Sequence, residues 1–253
     1  MILRDTWLIY TNELMQRKRQ ILWLVLGLFQ PLLYLFAYGP LVTKLMSSFW
    51  HTNTWDTFLP ALLLQAALTQ SMFAGLTLLW EKRMGVVERF RVAPISRYAL
   101  VFGKLGAIGT TTALLSFFVA MICRSFFALN SNMVNIAVCV LFNVLLSMFV
   151  AACSYALALR VNNEETLSPA LNALLLPLLL LSGAFIPITK DSSPGWLQQV
   201  SLFNPITYIM DADRAILRGN YFDSNAVIGT AVLLGLGFFS ITWVARAFTH
   251  ESA

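Results

Sequence analysis

TFLPALLLQAALTQSMFAGLTLLW, residues 57–80, runs for 24 positions without a charged side chain. A hydrocarbon core about 30 Å thick is crossed by roughly 20 apolar residues of helix. The stretch is long enough to cross, and it shows no strict alternation of apolar and polar residues. In lipid only helices and closed barrels satisfy their own backbone, and a continuous apolar run is the mark of a helix. Five further charge-free stretches repeat the pattern: Gln20–Thr43, Leu105–Cys123, about Val134–Leu159, Thr166–Thr189 and Ser224–Ala245. With 58% apolar and 11% charged residues, no ordinary soluble domain fits. The expectation is an all-α membrane protein with six transmembrane helices, about 20–43, 57–80, 99–123, 134–159, 166–189 and 224–246. Residues 20–253 then form one transmembrane domain, preceded by a helix over 1–19. The first apolar run is too long for a signal-peptide core and lacks a small-residue cleavage site, so it is expected to stay as an uncleaved span.

The charges orient the helices. With the N-terminus on the cytoplasmic side and six alternating spans, 12 of the 17 Lys and Arg residues fall inside and 5 fall outside. The acidic residues divide 7 to 5, so the bias belongs to Lys and Arg, as the positive-inside rule requires. Both termini are then cytoplasmic, in a multi-pass protein of the cell (inner or plasma) membrane. The net charge of +5 is accounted for by topology, and no nucleic-acid partner is expected.

The polar segments differ in kind. Within residues 1–19, Leu3, Trp7, Tyr10 and Leu14 recur at helical spacing among charged residues, which reads as an amphipathic helix on the inner membrane surface. The span 57–80 is followed by EKRMGVVERFRVAPISR, residues 81–97, the main inner loop. There Val86, Val87, Phe90 and Val92 can form an apolar face, Glu88, Arg89 and Arg91 a charged one, and Pro94 disfavours helix at Ala93. Such a mixed-charge helix suits a groove on a soluble partner; an ordinary basic loop that serves topology fits the residues as well. The outer segment 190–223 is too apolar for a free loop and too interrupted for two spans. A pair of short re-entrant or membrane-capping helices broken at Asn204-Pro205 is expected. Gln65, Gln70 and Asn143 are polar residues within spans, suited to helix–helix hydrogen bonds or to a path. Gly103, Gly106, Ala107 and Gly109 open the third span with small residues that permit close packing.

The motifs of catalysis are missing. There is no GxxxxGK[ST] phosphate loop, no HExxH and no GxSxG. Cys123, Cys139 and Cys153 form no CxxC pair, and His51 and His250 lie far apart, so neither a disulfide framework nor a metal site is expected. Ion-coupled transport needs an ionisable residue inside the membrane, and the charge-free spans supply no carboxylate. If this chain moves something uphill, the energy comes from another subunit, and the chain itself is not an enzyme.

Taken together the residues resemble the membrane subunit of a type-2 ABC exporter over essentially the whole length. The loop EKRMGVVERFRVAPISR (81–97) is similar to the family's first signature. LSGAFIPI (181–188), Trp196-Leu197, FNPITY (203–208), DADR (211–214) and Gly219 resemble its second. The resemblance implies that the N-terminal helix, with Arg4 and Arg17, and the segment carrying Glu81, Arg83, Gly85, Glu88 and Pro94 couple the chain to a separate ATP-binding subunit. Loop 81–97 would be the coupling helix, and ATP and Mg would sit on that partner, with no cofactor in this chain. Two such ATPases and a second permease, either this chain or a homologue, would complete the complex. Gly183, Pro187, Asn204, Pro205 and Tyr208 match the outer gate. The first, second and fifth spans would line a path, with Phe29, Tyr34, Gln65, Gln70, Phe73 and Asn172 as candidates. The path's aromatics suit an amphipathic or hydrophobic substrate: a drug, a peptide, a lipid or a lipid-linked saccharide. Two other classes compete. One is a non-transporting assembly or immunity protein. The other is a lipid-modifying enzyme built on Asp211, Asp213 and Arg214, whose carboxylates, two apart, would not share a helix face.

Overall fold

A computed structural model describes residues 2–19, 21–46, 54–85, 96–127, 129, 131–161, 163–185, 188 and 193–250. Among the described residues the chain is helical throughout. In order come α1 (Ile2–Arg19), α2 (Ile21–Leu33), α3 (Gly39–Met46), α4 (Thr54–Met72), α5 (Ala74–Arg83) and α6 (Arg97–Phe126). Then follow α7 (Met133–Arg160), α8 (Glu164–Leu180), α9 (Gly195–Leu202), α10 (Pro205–Leu217) and α11 (Ser224–His250). A π-helical turn, Tyr34–Tyr38, joins α2 to α3.

Four described helices are long and apolar enough to cross a membrane: Trp55–Arg83, Tyr98–Phe126, Met133–Arg160 and Ser224–Ala247. They contain four of the six expected spans. The first expected span corresponds to a shorter apolar helix, Gly27–Val42, that contains Pro31 and the π-helical turn. The fifth, expected to reach Thr189, ends as a helix at Leu180. Leu181–Phe185 turn away there, and Gly183 adopts a φ of +66°, a left-handed conformation that residues with a Cβ resist.

The second span is not continuous. Its helix breaks at Phe73, and Ser154 of α7 fills the gap. The Ser154 hydroxyl donates to the Met72 carbonyl and accepts from the Gly75 N–H at 3.0 Å. Only a glycine fits at 75, because a Cβ there would stand 2.5 Å from Ser154 Oγ.

Helix α7 is the hub, packed against α4, α5, α6, α10 and α11. Its buried residues include Ser147, Ala151, Ala152, Ser154, Ala156 and Ala158, so neighbouring backbones come close. In lipid, where tails are as apolar as leucine, close packing and hydrogen bonds supply the association energy. Two large apolar clusters result. One joins α4, the beginning of α7 and α10; the other joins α1, α5, α6, the end of α7 and the end of α11.

Helix α1 packs one face on the other helices and leaves another face open. Leu3 and Trp7 point outward, 87% and 63% exposed, while Ile9 and Glu13 are buried. The reason lies in α6. A Cβ on Gly103 would lie 2.8 Å from Ile9 Cγ2, so the missing side chain makes the seat into which Ile9 fits. Gly106 faces Tyr10, whose hydroxyl bonds Thr110 Oγ1 at 2.9 Å. The Leu3 and Trp7 face is left open on the outside of the molecule.

Two glycines of α11 give a matched test of this packing. A Cβ on Gly229 would stand 2.3 Å from the Tyr208 carbonyl oxygen and 2.4 Å from Ala212 Cβ, whereas Gly235 has nothing within 4 Å. Gly229→Ala is expected to destabilise by about 1–3 kcal/mol through overpacking. Gly235→Ala is expected to stabilise by roughly 0.5–1 kcal/mol through helix propensity. Thermal unfolding of the two variants in the same detergent compares them, and equal shifts would contradict the packing.

Candidate functional site

Three of the charged residues that this fold buries, Glu13, Glu81 and Lys104, gather at the end formed by α1, α5, α6 and the end of α7. Lys104 lies on the second turn of α6 and is 3% exposed. Its ammonium donates to Glu13 Oε1 of α1 and, at 2.6 Å, to Glu81 Oε2 of α5. Glu13 and Glu81 are each 8% exposed. One cation therefore fastens three helices. Arg17 is within Coulombic reach of Glu81, and the buried Tyr155 of Lys104. Lys104 and Arg17 balance Glu13 and Glu81, so the cluster is neutral as a set.

Local structure explains the arrangement. Glu13 follows Ile9 by four residues and so shares its face of α1, the face that Gly103 draws against α6. Glu81 lies two turns beyond the Phe73 break, and the Ser154 bonds set the start of α5 against α7. α5 ends at Arg83, and Gly85 turns the chain with a φ of +71°. Residues 86–95 follow, and α6 begins at Arg97. The charged cluster thus holds both helices that flank the inner loop, together with the N-terminal helix.

The other candidate coupling residues spread around this centre. Arg83 donates to Glu164 Oε2 at 3.3 Å and to Asn163 Oδ1 at 3.4 Å, across to the start of α8. This pair is half exposed, and such pairs contribute at most about 1 kcal/mol. An open cleft of about 480 Å³ lies there, lined by Arg83, Asn163, Glu164, Glu165, Ser168 and Pro169. Arg4 is exposed on α1. Glu88 and Pro94 lie outside the described residues.

The opposite end holds the candidate gate residues. Asn204 caps α10, its Oδ1 accepting from the Ile206 N–H at 3.0 Å, and Pro205 occupies the first helical position. The Asn204 Nδ2 donates to the Leu178 carbonyl of α8 at 2.8 Å. Tyr208 donates to the Leu202 carbonyl at 3.0 Å, tying α9 to α10. Gly183 accepts from Arg214. Pro187 lies outside the described residues. Asp211 and Asp213 do take different faces: Asp211 is half-buried beside Arg214, and Asp213 is wholly buried against Asn143, whose Nδ2 donates to it at 2.6 Å. Burial pushes the Asp213 carboxyl up to about 7, against the pull of its hydrogen bonds from Asn143 and Cys139 and of the Arg214 charge.

The candidate path residues do not share one surface. Phe29 and Asn172 are exposed, on α2 and α8. Tyr34 is half-buried with its ring 5.8 Å from that of Phe185. Gln70 accepts from Thr112 at 3.5 Å, and Phe73 marks the helix break. Gln65 is buried within α4. Sequence reasoning missed Glu13 and Lys104 altogether, counting Lys104 only as an inner charge. Its position inside the stripe Gly103-Lys104-Leu105-Gly106 was the available signal, a cation among residues small enough for another helix to cover it.

Comparison with known proteins bears on the same chain. Residues 4–218 match the family model described as ABC-2 type transporter. A protein named as a transport permease, ycf38, from Cyanophora paradoxa is 28% identical over 243 residues, 94% of this chain and 81% of that protein. The daunorubicin resistance ABC transporter permease protein DrrB1 of Streptomyces coeruleorubidus is 24% identical over 78% of this chain and 69% of its own length. A Mycobacterium tuberculosis protein named as a doxorubicin resistance ABC transporter permease, DrrC, is 23% identical over 84% of this chain and 76% of its own length.

The cluster can be tested without any partner. Lys104→Met leaves two carboxylates buried without their cation, which costs about 3–5 kcal/mol. The triple change Lys104→Met, Glu13→Gln, Glu81→Gln removes all three charges and is expected to recover most of that loss. Unfolding temperature and the amount of protein in the membrane compare the two, and an unchanged single variant would contradict the cluster.

Proposed function

The chain belongs to the ABC-2 type transporter family, and on that premise we propose that it is the permease subunit of an ATP-driven exporter. It is a multi-pass membrane protein. In the proposed complex it crosses the membrane six times with both termini in the cytoplasm, and it pairs with a second permease and two ATP-binding subunits. ATP and Mg bind to those partners. The single observation that carries this reading is the Glu13–Lys104–Glu81 cluster. It joins the N-terminal helix to both helices bordering loop 86–95, the part of the chain that resembles the family's coupling segment. A partner that pushes on the loop or on α1 meets one body, and the push reaches α7 through Ser154 and the packing of α5 and α6.

The substrate proposed is an amphipathic or hydrophobic molecule. Two relatives are named for resistance to daunorubicin and doxorubicin, both aromatic and amphipathic. Phe29 on α2 and Asn172 on α8 are exposed and open to such a compound. Release is proposed toward the side that carries α9 and α10.

Two experiments test this. The chain is reconstituted with the ABC ATP-binding subunit that co-purifies with it. ATP hydrolysis stimulated by daunorubicin is expected only when both proteins are present. Glu88→Arg in the inner loop is expected to leave hydrolysis in place, abolish transport and leave the amount of protein in the membrane unchanged. Failure of any ATP-binding subunit to bind would sink the exporter reading. For orientation, Phe203→Cys and Phe222→Cys, at positions 89% and 96% exposed, are expected to react with an impermeant thiol reagent from outside only. Met84→Cys, at a position 70% exposed, is expected to react from inside only. The reverse pattern would overturn the topology.

A further inference from the structure

The C-terminal end of α8 poses a problem that the next two helices solve. The last four carbonyls of any helix have no partner of their own, and inside a membrane each such group costs several kcal/mol. Here the Ser182 hydroxyl takes the Leu179 carbonyl at 2.7 Å from within the turn. The Leu181 N–H closes on the Pro177 carbonyl at 2.9 Å, and the remaining carbonyl partners described there come from α10 or its cap. Asn204 donates to Leu178 at 2.8 Å, and Thr207 to Leu181 at 3.2 Å. Arg214 donates through one guanidinium nitrogen to Gly183 at 2.7 Å and to Ala184 at 2.9 Å.

Arg214 is the unusual member. Its side chain is 9% exposed, yet its shortest bonds go to two backbone carbonyls rather than to a carboxylate. Asp211, one turn earlier, stands 3.5 Å away and is 45% exposed. A cation at a helix C-terminus faces the negative end of the helix dipole. The positive φ of Gly183 aims its carbonyl and that of Ala184 at the guanidinium. Burying an arginine here strengthens the hold, since bonds to a charged donor in a dry site are the stronger kind.

We propose that Arg214 is a positioning residue for transport: it clamps the outer end of α8 to α10, so that the end of the fifth span and the α9–α10 pair move as one rigid lid. This rests on the exporter reading above. Opening on the outer side then takes place around the lid and not between α8 and α10. Asn204 and Thr207 set the register of the clamp, and Arg214 supplies its strength.

The test uses the full chain with Cys123→Ala, Cys139→Ala and Cys153→Ala, carrying Leu181→Cys and, on α9, Ser201→Cys, whose carbonyls the Thr207 hydroxyl brings together across the junction. The yield of a short bifunctional thiol cross-link is measured in membranes for Arg214, Arg214→Lys and Arg214→Gln. The yield is expected to fall at least about tenfold in Arg214→Gln, which loses the charge-assisted bonds to Gly183 and Ala184, and to be largely kept in Arg214→Lys. The same yield in all three would overturn the clamp. In the second arm the cross-linked protein, in complex with its ATP-binding subunit, is assayed for daunorubicin transport. Transport retained after cross-linking supports the rigid lid; transport abolished, with ATP hydrolysis intact, overturns it. If the uncross-linked complex moves no substrate, it is the exporter reading that fails, and the cross-link yields still decide the clamp.

Discussion

An ammonium group that is almost wholly buried in a membrane protein must find counter-charges nearby, and Lys104 finds them on two other helices. Desolvating a charge costs several kcal/mol even after relaxation. α1 and α5 therefore cannot leave α6 without exposing that cost. Everything else at this end follows from the constraint. Gly103 and Gly106 lack side chains so that α1 can approach, and Ser154 braces the broken second span against α7 so that Glu81 reaches inward. The inner loop departs and returns at helices that the same lysine holds.

The other end obeys the companion rule for uncharged groups. A helix that stops within or near hydrocarbon leaves carbonyls that need donors, and α8 stops at Leu180, short of its expected end, with the chain turning at Gly183. Asn204, Thr207 and Arg214 bring those donors from α10. The two ends are thus held by opposite devices. Side-chain charges meet each other at one, and side-chain donors meet backbone at the other. Between them runs α7, whose small residues let five helices approach it.

Four of the six expected spans were legible from length and apolarity alone, because a helix in lipid must be long and nearly charge-free. Asn204-Pro205 was legible as a break, since a capping side chain followed by a proline ends one helix and starts the next. The register of α1 was not. Periodicity offers Leu3 and Trp7 as a face for the membrane surface, but the face that packs on the other helices, with Ile9 and Glu13, is chosen by the glycines of α6, far off in sequence. Lys104 escaped for the same reason: its partners lie 91 and 23 residues away, and one sequence cannot show which carboxylate meets which cation. The shortened fifth span was hidden in a run that stays apolar through Ile188, where only the backbone turn at Gly183 marks the end.

The central claim is that the N-terminal helix and the helices flanking the inner loop travel together when ATP is used. Spin labels at Leu8→Cys and Met84→Cys, both exposed positions at this end, report the spacing of α1 and the end of α5 by pulsed electron resonance. The measurement is made on the complex with its ATP-binding subunit, without nucleotide and after trapping with ATP and vanadate. One narrow distance distribution, unchanged between the two states, is the expected result. A shift or a second population on trapping would show that α1 and α5 move apart, and that the Lys104 cluster does not carry the motion.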